Sequence, residues 1–573
     1  MKGASRVLIG LLVLVLILAG GVAAMFVVIR SAARHVPSQA LLSVDLHGPI
    51  PEVAPEVPFR EFFGGTVLSR RDLRDALVEA ARDPRIRAVR FRIDDLQAGI
   101  ATVQELRSLV GAVADAGKDT SVFLESAGEF SPGTLPYYLA SGFQRIGLGT
   151  LGDVNLVGLR ADMPFLRGTF DKLEIEPDFP GIGAYKTARF LFIHKEPTTE
   201  QKEMTQWLLD SYTTQIATGI ARGRSVKVEQ AREWMEKGPF LGPDAKAAGL
   251  VDELTDWESF RDETEHTDGV KLEDVPISRY LRAGRPNSSG TPIAVVVAEG
   301  TIASGDSGYS PAPLFGGDIV GSRTMARAWQ QVRQSGARAA IFRIDSPGGS
   351  AVASEAIRAE MARTAKQMPV VVSMGELAAS GGYWITCGAK KIVADPGTLT
   401  ASIGVFAGHF AMENFWNDKL GVTWGTVETT PNSGLFDSLQ PWTPPQQVTV
   451  KKFLDRIYGD FVKHVSESRG MSPADVDAIG RGRVFTGAQA KERKLVDELG
   501  DFDVALAEAR KLAGLAPDAP VDLVFYPRQE PLWKRLLGLA EDASRGQANV
   551  LRELVEGRAR IPGPVWLPPI LVR

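Results

Sequence analysis

The sequence predicts an α/β fold made of two tandem, duplicated βαβ domains, preceded by one N-terminal transmembrane helix. Three observations carry this. Short β-branched runs alternate with amphipathic stretches, as in βαβ units around a parallel sheet. The alternation occurs twice, with shared motifs in one order. A long uncharged stretch stands ahead of both copies.

The N-terminal stretch comes first. Every residue from Val7 to Ile29 is uncharged, which is long enough for a helix to cross a hydrocarbon core of about 30 Å. Val22-Ala23-Ala24 imitates a signal-peptide cleavage site, but apolar residues continue beyond it, so an uncleaved anchor is expected over residues 1–35. Lys2 and Arg6 precede the span and Arg30 and Arg34 follow it, so flanking charge does not orient it.

The duplication organises the rest. Phe91-Arg92-Ile93-Asp94 recurs as Phe342-Arg343-Ile344-Asp345, and Tyr137–Gly142 matches Tyr383–Gly388. Gly149-Thr150-Leu151 matches Gly397-Thr398-Leu399, and Val251-Asp252-Glu253-Leu254 matches Val496-Asp497-Glu498-Leu499. All four matches lie between 245 and 251 residues apart. The first repeat is expected over 36–283, a Gly/Pro/Ser linker over 284–292, the second repeat over 293–530 and a C-terminal tail over 531–573. In the first repeat Ala88–Ile93 and Ser121–Leu124 read as strands. In the second, Ile293–Val297, Ala339–Ile344, Pro369–Met374 and Lys391–Ala394 do so, with helices at Glu355–Ala365 and from near Ser380. Within the tail, Leu532 to Leu554 reads as an amphipathic helix, and the prolines that follow exclude a second span.

Composition narrows the function. A formal net charge of −4 argues against nucleic acid. The single cysteine, Cys387, excludes an intramolecular disulfide and lies in an apolar stretch, as a core thiol does. No cofactor or metal is called for.

Two loops of the second repeat carry the candidate chemistry. Asp345-Ser346-Pro347-Gly348-Gly349-Ser350 follows one strand, and Gly375–Gly382 with Ser380 follows the next. Parallel strands open their sites at their carboxyl ends, so neighbouring strands would bring both loops to one crevice. Ser380 at a helix start, with backbone amides of Gly381 and of Gly348 or Gly349 facing an oxyanion, suits acyl transfer. A Ser-Gly-Gly alone is an ordinary turn. The first repeat serves as a control: it has Leu96, Gln97 and Ala98 in place of Pro347, Gly348 and Gly349, and Thr134, Leu135 and Pro136 in place of Ser380, Gly381 and Gly382. A serine nucleophile needs a base. Six histidines are present, of which His409 lies 29 residues after Ser380. Lys186, among small and apolar residues, is the alternative, although most lysines are surface residues. Its counterpart in the second repeat is Asn432, which cannot serve as a base.

Together, Asp345–Ser350, Ala378–Trp384, Leu399–Gly404 and Tyr185-Lys186-Thr187 resemble the bacterial signal peptide peptidase SppA family in its long, duplicated form. The resemblance runs from the anchor to about Leu515. It implies a Clp/crotonase-like fold in each half and a Ser/Lys dyad assembled where the halves meet. Ser380 would be the nucleophile, Lys186 the base, Gly381 and Gly349 the oxyanion donors, and Ser402 the residue orienting the lysine. It further implies a homotetramer that cleaves remnant signal peptides, held in the cytoplasmic membrane with its catalytic region on the periplasmic or exterior side. Three other readings stand beside it: a Ser380–His409 peptidase of Clp type, an acyl-CoA enzyme of the crotonase fold with Glu376 as its carboxylate, and a non-catalytic membrane scaffold.

Overall fold

The computed structural model of the chain describes residues 35–53, 67–283, 290–310, 317–528 and 571–572. The expected membrane span, most of the linker and nearly all of the C-terminal tail lie outside these. Among the described residues no helix is long and apolar enough to cross a membrane.

Each half is a sheet with helices packed on it. The first-half sheet runs, in spatial order, Glu273–Pro276, Ala40–Pro49, Ile86–Gln97, Asp119–Leu124, Arg145–Gly149 and Glu253–Thr255, all parallel. The second-half sheet runs Val484–Thr486, Leu399–Ala401, Val370–Ala379, Ala339–Ser346, Thr291–Glu299 and Val521–Tyr526, with Lys391–Ala394 also paired to Val370–Ala379. Only Val484–Thr486 is antiparallel in that row. Central strands such as Ala339–Ser346 are buried almost throughout, which is why they read as continuous apolar runs instead of alternating ones.

Three boundaries differ from expectation. The second half begins its first strand at Thr291, inside the expected linker, because Thr291 to Val296 pairs in parallel with Val521–Tyr526. The strand expected at Pro369–Met374 continues to Ala379. It changes neighbours on the way: Val371 to Met374 pairs with Lys391–Ala394, and Leu377 to Ala379 pairs with Leu399–Ala401. Residues 375–379 are therefore strand, and Ser380 sits at the strand's very end. In the first half, Leu96 and Gln97 extend their strand against Gly48 and Pro49, so no glycine loop forms there.

The halves share a buried polar seam. Arg343 donates from Nε to Glu52 (2.9 Å), from Nη2 to Glu105 (2.6 Å) and from Nη1 to Ser373 Oγ (2.9 Å). Glu52 and Glu105 belong to the first half and are fully buried with it. Two short antiparallel ladders also cross the seam, Gly181–Ile182 with Val405–Phe406 and Glu176–Asp178 with His409–Ala411. The first-half counterpart of Arg343 is Arg92, which lies near the surface beside Asp94 at 3.3 Å.

One framework residue thus carries two different electrostatic duties. Replacing Arg343 with Met leaves two buried carboxylates facing each other and is expected to cost about 3–5 kcal/mol. The same change at Arg92 is expected to cost no more than about 1 kcal/mol. Urea denaturation midpoints of the two variants compare the losses directly, and equal losses would refute the seam's contribution.

Candidate active site

The strands that lead into the two glycine-containing loops are neighbours, so both loops open onto one crevice. Ala339–Ser346 and Val370–Ala379 pair in parallel, with Ser346 opposite Ala378. Ser380 closes the second strand and opens the helical turn Gly381–Trp384. Its backbone has φ 55 and ψ −117, a region that costs a non-glycine residue about 1–3 kcal/mol. Ser380 N–H donates to Ala401 O at 2.7 Å, while Tyr383 N–H and Trp384 N–H both donate to Ser380 O. These bonds hold the side chain up at the strand-to-helix corner.

The glycines are needed for close approach. Gly348 and Gly349 have φ +98 and +149, and a Cβ on Gly348 would lie 2.9 Å from Ser380 Cβ. A Cβ on Gly381 would lie 3.1 Å from Gly349 N, so these two residues face each other across the serine. Gly348 N–H is already taken by Ser346 Oγ at 3.2 Å, and Ser350 N–H by Ile302 O at 2.9 Å. Gly349 N–H therefore remains for a ligand on that loop, and Gly381 N–H is a first-turn donor without an intrahelical acceptor. Of the two glycines that the sequence leaves open, Gly349 is the one whose N–H is uncommitted.

Lys186 reaches this corner from the other half. It is 1% exposed, and its Nζ lies 2.9 Å from Ser380 Oγ, 2.9 Å from Ser402 Oγ and 3.0 Å from Ser402 O. The surface expectation for this residue fails because its loop is clamped on the second half. Tyr185 N–H donates to Arg481 O at 2.9 Å, and Gly482, at φ +84, packs directly on the Lys186 backbone where any Cβ would clash. Gly404 covers the aliphatic stem, a Cβ there falling 3.2 Å from Lys186 Cδ. Burial pushes the lysine down from its ordinary value to about 7. Ser402 is itself at φ 54 and donates its N–H to Arg483 O at 2.9 Å, which fixes both acceptors it offers the amine.

The remaining candidates lie elsewhere. His409 sits on a seam strand with Nε2 3.0 Å from Gln440 O and its ring against Trp442; Ser380 is not among its partners. Glu376 points away from the crevice and accepts from Thr102 N–H and Thr102 Oγ1, each at 3.0 Å, so it caps a first-half helix. In the first half Thr134 spends its hydroxyl on Gly158 O at 2.8 Å. Asn432, the counterpart of Lys186, is exposed. Cys387 is buried, and burial raises its thiol to about 12. What the sequence did not reveal is the wall of the crevice: Ala351, Trp384, Val405, Phe406, Ile457 and Phe461 line a shallow apolar crevice beside Ser380 that opens to solvent. Ile457 and Phe461 come from the helix Pro444–Arg469, whose apolar spacing also suits an ordinary core face.

Comparison with known proteins follows the same outline. Protease 4 of Haemophilus influenzae is 31% identical over 476 residues, covering 79% of this chain and 74% of that one. The chloroplastic serine protease SPPA of Arabidopsis thaliana is 30% identical over 476 residues, covering 80% and 68%. Among solved structures, a ClpP1 mutant from Listeria monocytogenes aligns over 37% of this chain and 94% of its own at 15% identity, with a TM-score of 0.24 that is too low to bear on the fold. The sequence model of peptidase family S49 matches residues 126–271 and 362–516, one stretch in each half, and the chain belongs to that family.

Proposed function

We propose that this S49 peptidase is a membrane-anchored serine endopeptidase in which Ser380 attacks the peptide carbonyl and Lys186 is the general base. The observation that carries the reading is the 2.9 Å contact between the buried Lys186 Nζ and Ser380 Oγ, which faces the open crevice. A neutral amine has two N–H donors and one lone pair. Ser402 O can only accept, and with Ser402 Oγ it occupies both donors, leaving the lone pair for the Ser380 proton. As Oγ bonds to the carbonyl carbon, its proton passes to Nζ, and the oxyanion forms against the Gly349 and Gly381 amides. The lysine ammonium then protonates the departing amine. Water attacks the acyl-enzyme by the reverse path and restores the neutral lysine.

The apolar crevice supports apolar peptide segments as substrates, remnant signal peptides among them. That substrate class fits a chain tethered to the cytoplasmic membrane by residues 7–29, with its catalytic region on the periplasmic or exterior side. A Clp/crotonase-like fold in each half belongs to the same reading.

The duplication supports a closed homo-oligomer, in this family reading a homotetramer. Within one chain, the first-half helix Ile100–Asp115 covers Glu376 and Leu399 of the second half. Their first-half counterparts, Phe130 and Leu151, are 102% and 96% exposed. The second-half counterpart of the covering helix, Ala351–Ala365, bears Val352 at 73% exposed. A head-to-tail contact between copies that repeats the internal one would cover all three, and such contacts close into rings.

Three outcomes test the reading. Lys186→Met is expected to lower kcat by at least about 1,000-fold while His409→Ala stays within about threefold of wild type; the reverse order would overturn the dyad. Activity is expected to rise with pH through about 7, where the lysine loses its proton, and then level off. A flat profile from pH 6 to 9 would count against lysine as the base.

The same shift predicts a stability signature. Between about pH 7 and 10 the unfolded chain binds a proton at Lys186 that the folded chain does not, so folding stability from this group rises with pH across that window. Lys186→Met should lack that rise, which paired urea titrations at pH 7 and 10 would reveal. For assembly, Phe130→Asp with Leu151→Asp is expected to reduce the mass of the detergent-solubilised protein to that of one chain in light scattering.

A further inference from the structure

The glycine loop and the serine strand are tied together by one carboxylate, and that carboxylate is held from the other half of the molecule. Asp345 stands where the strand Ala339–Ser346 enters the glycine loop. Its Oδ1 accepts from Leu377 N–H at 3.2 Å and its Oδ2 from Glu376 N–H at 3.3 Å. Both amides lie on the last residues of the strand that ends at Ser380. On its other side Asp345 Oδ2 pairs with the Arg70 guanidinium. Arg70 opens the first-half helix Arg70–Arg82 and is buried.

Arg70 is itself fixed in place. Its Nε lies 3.1 Å from Glu52 Oε2, and its Nη1 donates to Thr102 Oγ1 at 3.3 Å. Thr102 in turn donates to the side chain of Glu376. The contacts close a ring from Arg70 through Asp345 and Glu376 to Thr102 and back. Gly375 lies within it, and a Cβ there would fall 3.0 Å from both Arg70 Nη1 and Asp345 Oδ2.

The duplication repeats the framework without this clamp. The helices Arg70–Arg82 and Ser322–Gln334 are counterparts of 13 residues each, and Ser322 occupies the place of Arg70. Asp94, the counterpart of Asp345, is exposed and meets only its neighbour Arg92 among the ion pairs of the described residues. No reactive loop follows it.

We propose that Arg70 is a positioning residue of the Ser380 site: through Asp345 it sets the spacing between the loop bearing Gly349 and the strand bearing Ser380. The inference rests on the reading of Ser380 as the nucleophile. The physical ground is that two amide bonds of 3.2–3.3 Å cannot by themselves fix a carboxylate that would otherwise be a nearly buried, unpaired charge. Losing the guanidinium frees Oδ2 to turn toward water and releases the strand end. A displacement of about 1 Å between nucleophile and oxyanion donors costs about 100-fold in rate.

The test compares Arg70→Met, Asp345→Asn, the double variant and Arg70→Lys, using the full chain in detergent and a chromogenic acyl-peptide anilide. Arg70→Met and Asp345→Asn are each expected to lower kcat about 100-fold with KM within about threefold. The double variant should be no slower than the slower single one, because both remove the same contact. Arg70→Lys, which keeps the charge but not the fork, should recover about tenfold over Arg70→Met. In every active variant the pH midpoint should stay near that of wild type, since Lys186 is untouched. Near-normal kcat in Asp345→Asn, losses that multiply in the double variant, or a displaced pH midpoint would each overturn the proposal. If Arg70→Met does not fold, Asp345→Asn and Arg70→Lys decide by the same criteria. Labelling of wild-type protein with a fluorophosphonate keeps the two questions apart: no adduct at Ser380 sinks the nucleophile itself, whereas an adduct that forms as fast in Asp345→Asn as in wild type sinks only the clamp.

Discussion

The Lys186 amine is buried where the two halves meet, and the geometry around it follows from that burial. An ammonium in bulk water keeps its proton far above neutral pH. Here the stem is covered by Gly404 and the backbone by Gly482, both second-half residues with no side chain to spare. Among the described residues its hydrogen-bond partners are Ser380 and Ser402. No carboxylate contributes to the depressed pKa, which burial alone produces. A carboxylate at that distance would pull the other way and keep the amine protonated.

Dehydration of that kind cannot be built by one half. Lys186 belongs to the first half, while Gly404 and Gly482, which cover it, and Ser380 and Ser402, which meet its amine, belong to the second. The seam that joins them must therefore be rigid, and its chemistry is unusual for an interior. Arg343, Glu52 and Glu105 are buried charges whose pairing repays their desolvation only if the geometry is right. Such a seam is poor at tolerating displacement. That intolerance suits a site whose amine and hydroxyl arrive on different halves, since a loosely docked pair would hydrate the lysine and recharge it.

Much of this was legible in the sequence, and the reasons for success and failure differ by residue. Lys391–Ala394 was placed at its observed bounds, and Ala339–Ile344 fell two residues short, because buried parallel strands announce themselves as unbroken aliphatic runs. Judged by local preference Gly375 to Ala379 is a loop, because glycine and glutamate are poor strand formers. The pairing with Leu399–Ala401 overrides that preference. Ser380 was legible through the altered first half, an internal comparison that needs no structure. Lys186 stands out mainly through the family resemblance, since nothing in Gly181–Phe190 itself says that a second sheet will close over it. The crevice residues Ile457 and Phe461 were hidden for a related reason: an apolar residue at helical spacing looks the same whether it faces a core or a substrate.

The two halves began with the same parts and now divide the labour unevenly. The strand Ile86–Gln97 runs straight through the positions where the second half bends into Pro347, Gly348 and Gly349, and Thr134 turns its hydroxyl inward to Gly158. Freed of a site of its own, the first half presents its helix starts at Arg70 and Ile100 to the second half's site instead. Glu376 shows the exchange in reverse. Gly99 has no side chain to cap the helix Ile100–Asp115, and the second half's glutamate supplies the missing acceptor at Thr102. Each half thus completes a hydrogen-bonding need of the other within a few residues of Ser380. A site assembled this way has no partial form: separating the halves removes the Lys186 amine from Ser380, hydrates the seam and uncaps the helix in a single step.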